Sequence, residues 1–324
     1  MKKTLIALAV LGAAGVAHAQ SNVTIYGQMD AMITKKTGST TSMVAGDNNK
    51  LGFKGVEDLG GGLKALFHAE MRFDPDTGTT EAGGARPLFQ GQSRVGLQGD
   101  FGMIRLGRGL TAVQESGAGF EAWGEARTRA AMTSYVVANY NSDPLHAGSS
   151  TNRWSNGLWY NSPNMSGFQL NVTLGTKEAQ GTGTPKANPY SVSATYNQGP
   201  VAVMAGYERN PVETKFWILG GSVQATPELK LQATYAQQDQ GSTKAVNPKT
   251  KGWQIGANYN VGTGQILAAY GQIKPDGVES TKRFALGYEH NLSKRTFLYV
   301  DAYNEKAPVV GTVNSFDVGI NHRF

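Results

Sequence analysis

The stretch VNSFDVGINHRF, residues 313–324, alternates in twos. Phe316, Val318, Ile320, His322 and Phe324 fall on one face of an extended chain, and Ser315, Asp317, Gly319, Asn321 and Arg323 on the other. That is the period of a strand with one apolar face. In a water-soluble domain such a face turns to the core. In a membrane barrel it turns to lipid and the polar face turns inward. The rest of the chain decides between them.

The same period recurs upstream. Phe168, Leu170, Val172 and Leu174 alternate with Gln169, Asn171, Thr173 and Gly175; Leu229, Leu231, Ala233 and Tyr235 alternate with Lys230, Gln232, Thr234 and Ala236; similar stripes start at Val201, Trp253 and Phe284. Each is as long as one tilted membrane-spanning strand. Short turn-rich connections (GDFG, NQGP, ATPE, NVGTGQ, NLSKR) interleave with long polar ones such as TKKTGSTTSMVAGDNN and DPDTGTTEAGGARP. The pattern predicts about 16 strands in an all-β, antiparallel transmembrane β-barrel. Their starts fall near Val23, Lys50, Leu63, Gly102, Asn188, Gly252, Gly264, Thr281 and Val313, among others. Tyr160, Tyr207, Tyr235, Tyr259 and Tyr288, near stripe ends, suit interfacial girdles.

Composition fits the lipid reading. Hydrophobic residues make up 40% of 324 and lie singly or in alternation rather than in the continuous runs that a soluble core of this size would use. The opening MKKTLIALAVLGAAGVAHAQ, with Lys2 and Lys3 ahead of an apolar run and Ala17-His18-Ala19 after it, reads as a signal peptide at 1–19, leaving 20–324 as the barrel. The run is too short and too rich in Ala and Gly for a spanning helix, which takes about 20 apolar residues. Although exported, the chain has no Cys and hence no disulfide framework. Without Lys2 and Lys3 the formal charge falls from +6 to +4, too mild a balance to point to nucleic acid. His68, His146, His290 and His322 show no metal-ligand spacing, and there is no GxSxG, HExxH or phosphate-cradling loop. Neither an enzyme nor a cofactor or metal is expected.

A barrel of this strand number leaves a water-filled channel lined by the polar face. The longest connection, about residues 110–150, carries Glu115, Glu121, Glu125 and Asp143 and is too long for a simple hairpin. Its small and apolar residues argue that part of it packs against something. Folded into the barrel, it would form a constriction in which loop carboxylates face basic wall residues across a transverse field. The other reading is that these are ordinary solvated loop charges. By alternation with Ile104 and Leu106, Arg105 faces inward, whereas Arg108 shares their parity near the strand end and is read as marking the loop base. Trp159, between Leu158 and Tyr160, also faces the lumen, either packing against the loop or offering a stacking surface to a flat solute.

The blocks KLGFKGVEDLGGGLKALFHAE, QSRVGLQGDFGMIRLGRG, NRWSNGLWYNSPNMSGFQL, YEHNLSKRTFLYVDAY and VGINHRF, in order along most of the chain, resemble the signature blocks of the Gram-negative general porins, especially the neisserial and burkholderial branch. The resemblance implies an outer-membrane homotrimer of 16-stranded barrels with the third loop folded inward, passing ions and small hydrophilic solutes passively. It places Lys50 and Arg153 on the basic side of the constriction, opposite Glu115, Glu121 or Glu125. Gly91 stands where relatives carry a second Arg; Arg94, three residues on, extends the basic side by local alternation but not by the family register. Trp159 stands where relatives carry Lys or Arg. Phe324 matches an aromatic C-terminus read by the barrel-assembly machinery, and the DPDTGTTEAGGARPL loop matches a part that contacts neighbouring subunits. Outer-membrane lipid and lipopolysaccharide are the implied surroundings. The alternatives are a channel selective for a sugar or small organic anion, and an adhesin or structural barrel.

Overall fold

The computed structural model describes residues 22–124, 129–146, 150–178, 183–239 and 249–324, so the proposed signal peptide lies outside it. Strands follow one another as β1 (Asn22–Lys36), β2 (Ser42–Ala45), β3 (Lys50–Gly60), β4 (Leu63–Asp74), β5 (Thr79–Thr80), β6 (Gln92–Gly99), β7 (Gly102–Leu110), β8 (Arg153–Asn161) and β9 (Phe168–Gly175). The second half runs β10 (Tyr190–Gln198), β11 (Val201–Arg209), β12 (Lys215–Gln224), β13 (Leu229–Asp239), β14 (Thr250–Val261), β15 (Gly264–Pro275), β16 (Thr281–Asn291), β17 (Thr296–Ala307) and β18 (Gly311–Arg323). Setting aside the short rim pieces β2 and β5, 16 long strands remain of the 18. Strands expected near Lys50, Leu63, Gly102, Gly264 and Thr281 start there, and those expected near Asn188, Gly252 and Val313 start within two residues.

Every ladder is antiparallel, and β1 pairs with β18, Gln28 opposite Arg323 through Lys36 opposite Ser315, which closes the sheet into a barrel. Closure satisfies the edge that an open sheet would present to lipid, where each unpaired backbone group costs several kcal/mol. The two faces answer the question set by residues 313–324. Phe316, Val318 and Ile320 are exposed, whereas Ser315, Asp317 and Asn321 are buried. A soluble protein would show the reverse, so the apolar face is the one that meets lipid. β13 repeats this, with Leu231 and Tyr235 out and Gln232, Thr234 and Gln238 in.

Tight turns lie at the end of the barrel that carries β1's start and β18's finish, such as Gly262-Thr263 with Gly262 at φ +55°. One wall breaks the alternation. In β7 the register slips between Gly107 and Gly109, and Gly107 sits at φ +128°, where a Cβ would strike the Ser93 carbonyl. The extra residue lies in β8, where Gly157 to Trp154 spans three positions against two in β7. Arg108, which straight alternation from Leu106 turns outward, is nonetheless buried beside this break, bonding the Gln90 carbonyl at 3.0 Å and Ser155 at 2.8 Å.

Candidate functional site

After β7 the chain turns inside the barrel. Helix α1 (Ala112–Gly117), a 3-10 turn (Ala118–Phe120) and helix α2 (Thr133–Val136) lie against the inward faces of β9–β15. Polar wall residues grip the loop's backbone: Ser191 Oγ accepts from Val113 N (3.1 Å), Gln254 donates to the Phe120 carbonyl (2.6 Å), Asn258 to Ala122 (2.9 Å) and Gln238 to Ala138 (2.6 Å). Apolar wall residues add two buried clusters. Val113, Phe120 and Tyr140 pack on Met204, Phe216 and Ile218, while Met132 and Tyr135 pack near Leu267 and Ile273. These wall residues point inward although apolar, and the sequence shows it: Phe216-Trp217-Ile218-Leu219 is apolar on both faces at the place where the loop docks.

An ionic clamp fixes the far side. Asp301 accepts from Trp123 Nε1 (2.9 Å) and Arg129 Nε (2.6 Å), and Arg129 also reaches Glu289 (2.9 Å). Burial works against the Arg129 cation, but hydrogen bonds and charge from Asp301, then Glu289, outweigh it and raise its pKa above the ordinary guanidinium value. Arg129 thus stays charged throughout the working pH range. Burial, then the Glu208 carboxylate, raises the Tyr140 phenol well above its usual value, so it stays neutral.

The loop leaves the opposite wall, β3–β8, facing the lumen. There Arg94 and Arg105 both reach Glu115 on α1, at 3.4 and 3.3 Å, and Arg105 also donates to Asn161 at 2.5 Å. The Glu115 side chain is 33% exposed, those of Arg94 and Arg105 2% and 9%, so the carboxylate covers the two guanidiniums from the lumen side. Arg94 therefore faces inward, in line with local alternation and against the family register. Trp159 lies beneath it, the guanidinium carbon 5.4 Å from the ring, with Nε1 bonded to the Leu110 carbonyl at 2.6 Å. At 1% exposure the ring has no face left for a solute, which corrects the stacking reading: its stacking partner is Arg94.

Lys50 stands opposite Arg72 in the β3–β4 ladder; Arg72 bonds Glu70 at 2.8 Å and Asn48 at 2.9 Å. Arg153 does not meet Glu115. It is buried, donating to the Gly91 carbonyl (2.8 Å), Ser150 (3.0 Å) and Asn152 (2.8 Å) at the loop's base. Glycine at 91 permits this, since a Cβ there would press on Glu70. Glu121 lines a cavity with Lys230 of β13. Its carboxylate accepts from Trp123 N (2.8 Å) and Met132 N (2.6 Å), stapling the loop to itself. Glu125 lies outside the described residues.

Three basic residues were not assigned to the constriction from the sequence. Arg108 was hidden by the bulge, and Arg72 by its place among apolar neighbours. Lys230 lies on the inward face of β13, across a cavity of about 620 Å³ that Arg105, Glu115 and Asn171 also line. Its parity with Gln232 was the available signal. At the barrel seam Phe324 pairs with Gly27, N to O at 3.1 Å and O from N at 2.9 Å, and its ring lies on Gly27.

The Gram-negative porin family model matches residues 4–307. Outer membrane porin protein 32 of Delftia acidovorans is 31% identical over 92% of this chain and 88% of its own. Major outer membrane protein P.IB of Neisseria lactamica is 31% identical over the whole of both chains. Among solved structures, an anion-selective porin from Comamonas acidovorans superposes with a TM-score of 0.81 at 25% identity, covering 94% of this chain and all of its own.

Proposed function

The chain belongs to the Gram-negative porin family, and from that premise we propose that the Arg94–Glu115–Arg105 cluster is the charge filter of its pore. The protein is an outer-membrane porin of a Gram-negative bacterium, a water-filled channel for passive diffusion of ions and small hydrophilic solutes. Its relatives are channels, and no residue is given a catalytic part in this reading.

The observation that carries the proposal is the charge balance around the loop. On the β3–β8 wall Lys50, Arg72, Arg94 and Arg105 stand against the carboxylates Asp47, Glu70 and Glu115, while Lys230 across the cavity stands beside Glu121 and Glu228. On that wall positive charge is in excess where low-dielectric surroundings focus it, which favours anions. The neighbouring anion-selective porin supports the same direction. The test is the reversal potential across a low-salt gradient. The intact protein is expected to prefer anions, and Arg94→Gln with Arg105→Gln to move toward cations; a wild-type cation preference would refute the assignment. Flux linear in sugar or organic-anion concentration fits a general pore, and saturation a selective one.

The inward loop at about 110–150 is read as the constriction, residues 1–19 as a cleaved signal, and Phe324 as the assembly signal. The barrels are proposed to associate in threes. The exposed apolar faces of the first strands, with Ile25, Val95 and Leu106, support this; a species of monomer size in mild detergent would contradict it.

A further inference from the structure

Tyr26 lies across the wall beside the filter. On β1 it stands opposite Gly52 of β3, where a Cβ would strike its ring, and Gly52 in turn stands opposite Glu70 of β4. The missing side chain lets the ring cover β3, so that its phenol meets two side chains one strand further on. The hydroxyl donates to Glu70 Oε2 at 2.7 Å and also bonds His68 Nε2. Lys54 Nζ sits 5.3 Å from the centre of the same ring. His68 is half-buried on the inward face of β4, with Lys54 opposite it on β3 and Arg94 opposite it on β6. It is thus the cross-strand neighbour of one of the two guanidiniums that Glu115 covers.

These bonds fix the protonation chemistry of the imidazole. A phenol has one proton, and here the carboxylate takes it, so the bond to His68 has Nε2–H as donor and the phenol oxygen as acceptor. Arg72 Nε donates to Glu70 Oε1 at 2.8 Å and holds that carboxylate in place. In the neutral ring Nδ1 is then the basic nitrogen, and it has no hydrogen-bond partner among the described residues. A second proton can reach it from lumen water without breaking a bond: Nε2–H goes on donating, and the ring becomes a cation where it stands. Histidine is the side chain whose ordinary charge change falls near neutral pH. The groups that face it are Tyr26 on β1, Lys54 on β3, Glu70 on its own strand, and Arg94 and Arg105 on β6 and β7, with Glu115 of α1 reaching both arginines.

We propose, on the charge-filter reading above, that His68 is a selectivity-determining residue whose protonation adds a positive charge to the filter wall, so that anion preference rises as pH falls. The other histidines among the described residues stand elsewhere. His290 and His322 are exposed on the outer face at the end of the barrel that carries the chain termini, and His146 lies 3.5 Å from Asp143 at the loop's base.

The test is the reversal potential of the intact channel in a dilute potassium chloride gradient, taken in steps from pH 8 to pH 5. That range spans the ordinary titration of histidine and stays above that of carboxylates. A unit charge at the wall changes ion partitioning about twofold, so the wild type is expected to gain anion preference by up to about that factor. His68→Gln should lose the gain, His68→Arg should show it already at pH 8, and His146→Gln should titrate like wild type. A step that survives in His68→Gln overturns the proposal. So does a wild type that stays level across the range, a result that needs no variant to fold. A fall in open-channel current over the same range at 1 M salt, where charge is screened, also overturns it, because acid would then be closing the pore instead of charging its wall. The filter reading fails separately: a wild type that prefers cations at pH 8 refutes it with or without the step, whereas an anion preference indifferent to pH removes only the part given to His68.

Discussion

Glu115 touches two guanidiniums at once, and its substitution has a calculable consequence. A unit charge about 8 Å from a passing ion in water changes the ion's energy by roughly 0.5 kcal/mol, a factor of about 2 in partitioning. Glu115→Gln should therefore raise anion preference by at least that factor in dilute salt, with the gain shrinking toward 1 M as the Debye length falls to about 3 Å. Reversal potentials over a salt series check it, and a salt-independent change would point to altered shape instead of charge. Arg153 leads to a different expectation. Each of its hydrogen bonds to the Gly91 carbonyl, Ser150 and Asn152 at the loop base is worth about 1.5–3 kcal/mol, as for a bond to a charged group. Arg153→Gln should lower the unfolding temperature of the barrel and leave reversal potential nearly unchanged. Local alternation turns Arg105 and Arg94 to the face where the structure has them because both lie on regular strand ahead of the break, although the family register turned Arg94 the other way. Arg108 lies beside Gly107 at positive φ, and period-two counting cannot see such a backbone irregularity.

At the scale of the element, the inward loop is held by its clamp more than by its own helices, which are six and four residues long and too short to stand alone. Asp301 accepts from both Trp123 and Arg129, and removing one partner of a buried pair costs about 3–5 kcal/mol. Asp301→Asn should free the loop's distal half while β17, held by two full ladders, stays in place. The expected outcome is a folded barrel whose single-channel current fluctuates more than wild type; a quiet trace of wild-type amplitude would show that the apolar clusters alone hold the loop. The strands were legible because lipid and water impose opposite demands on alternate residues. The loop's path was not. Its contacts pair residues far apart in sequence, and Glu121, an acidic residue in a polar stretch, looks the same whether it faces a pore or caps two backbone amides.

For the molecule as a whole the decisive event is closure of β18 on β1, and Phe324 sits at its last step. Two backbone hydrogen bonds tie it to Gly27. At about 1 kcal/mol each, they are a small share of a seam that runs on through nine further residue pairs. Deleting Phe324 should therefore leave the conductance of barrels that do form close to wild type. Its larger effect is expected before closure, when the terminal aromatic is free to be read by the assembly machinery, so the deletion should cut outer-membrane yield severalfold. Gly27→Val separates recognition from packing. A side chain at 27 collides with the Phe324 ring in the closed barrel but leaves the terminal residue itself unchanged. If the terminus acts as a signal, Gly27→Val should keep near-normal yield and lose thermal stability. If Gly27→Val loses yield as severely as the deletion, the terminus matters as a closing contact and the signal reading fails.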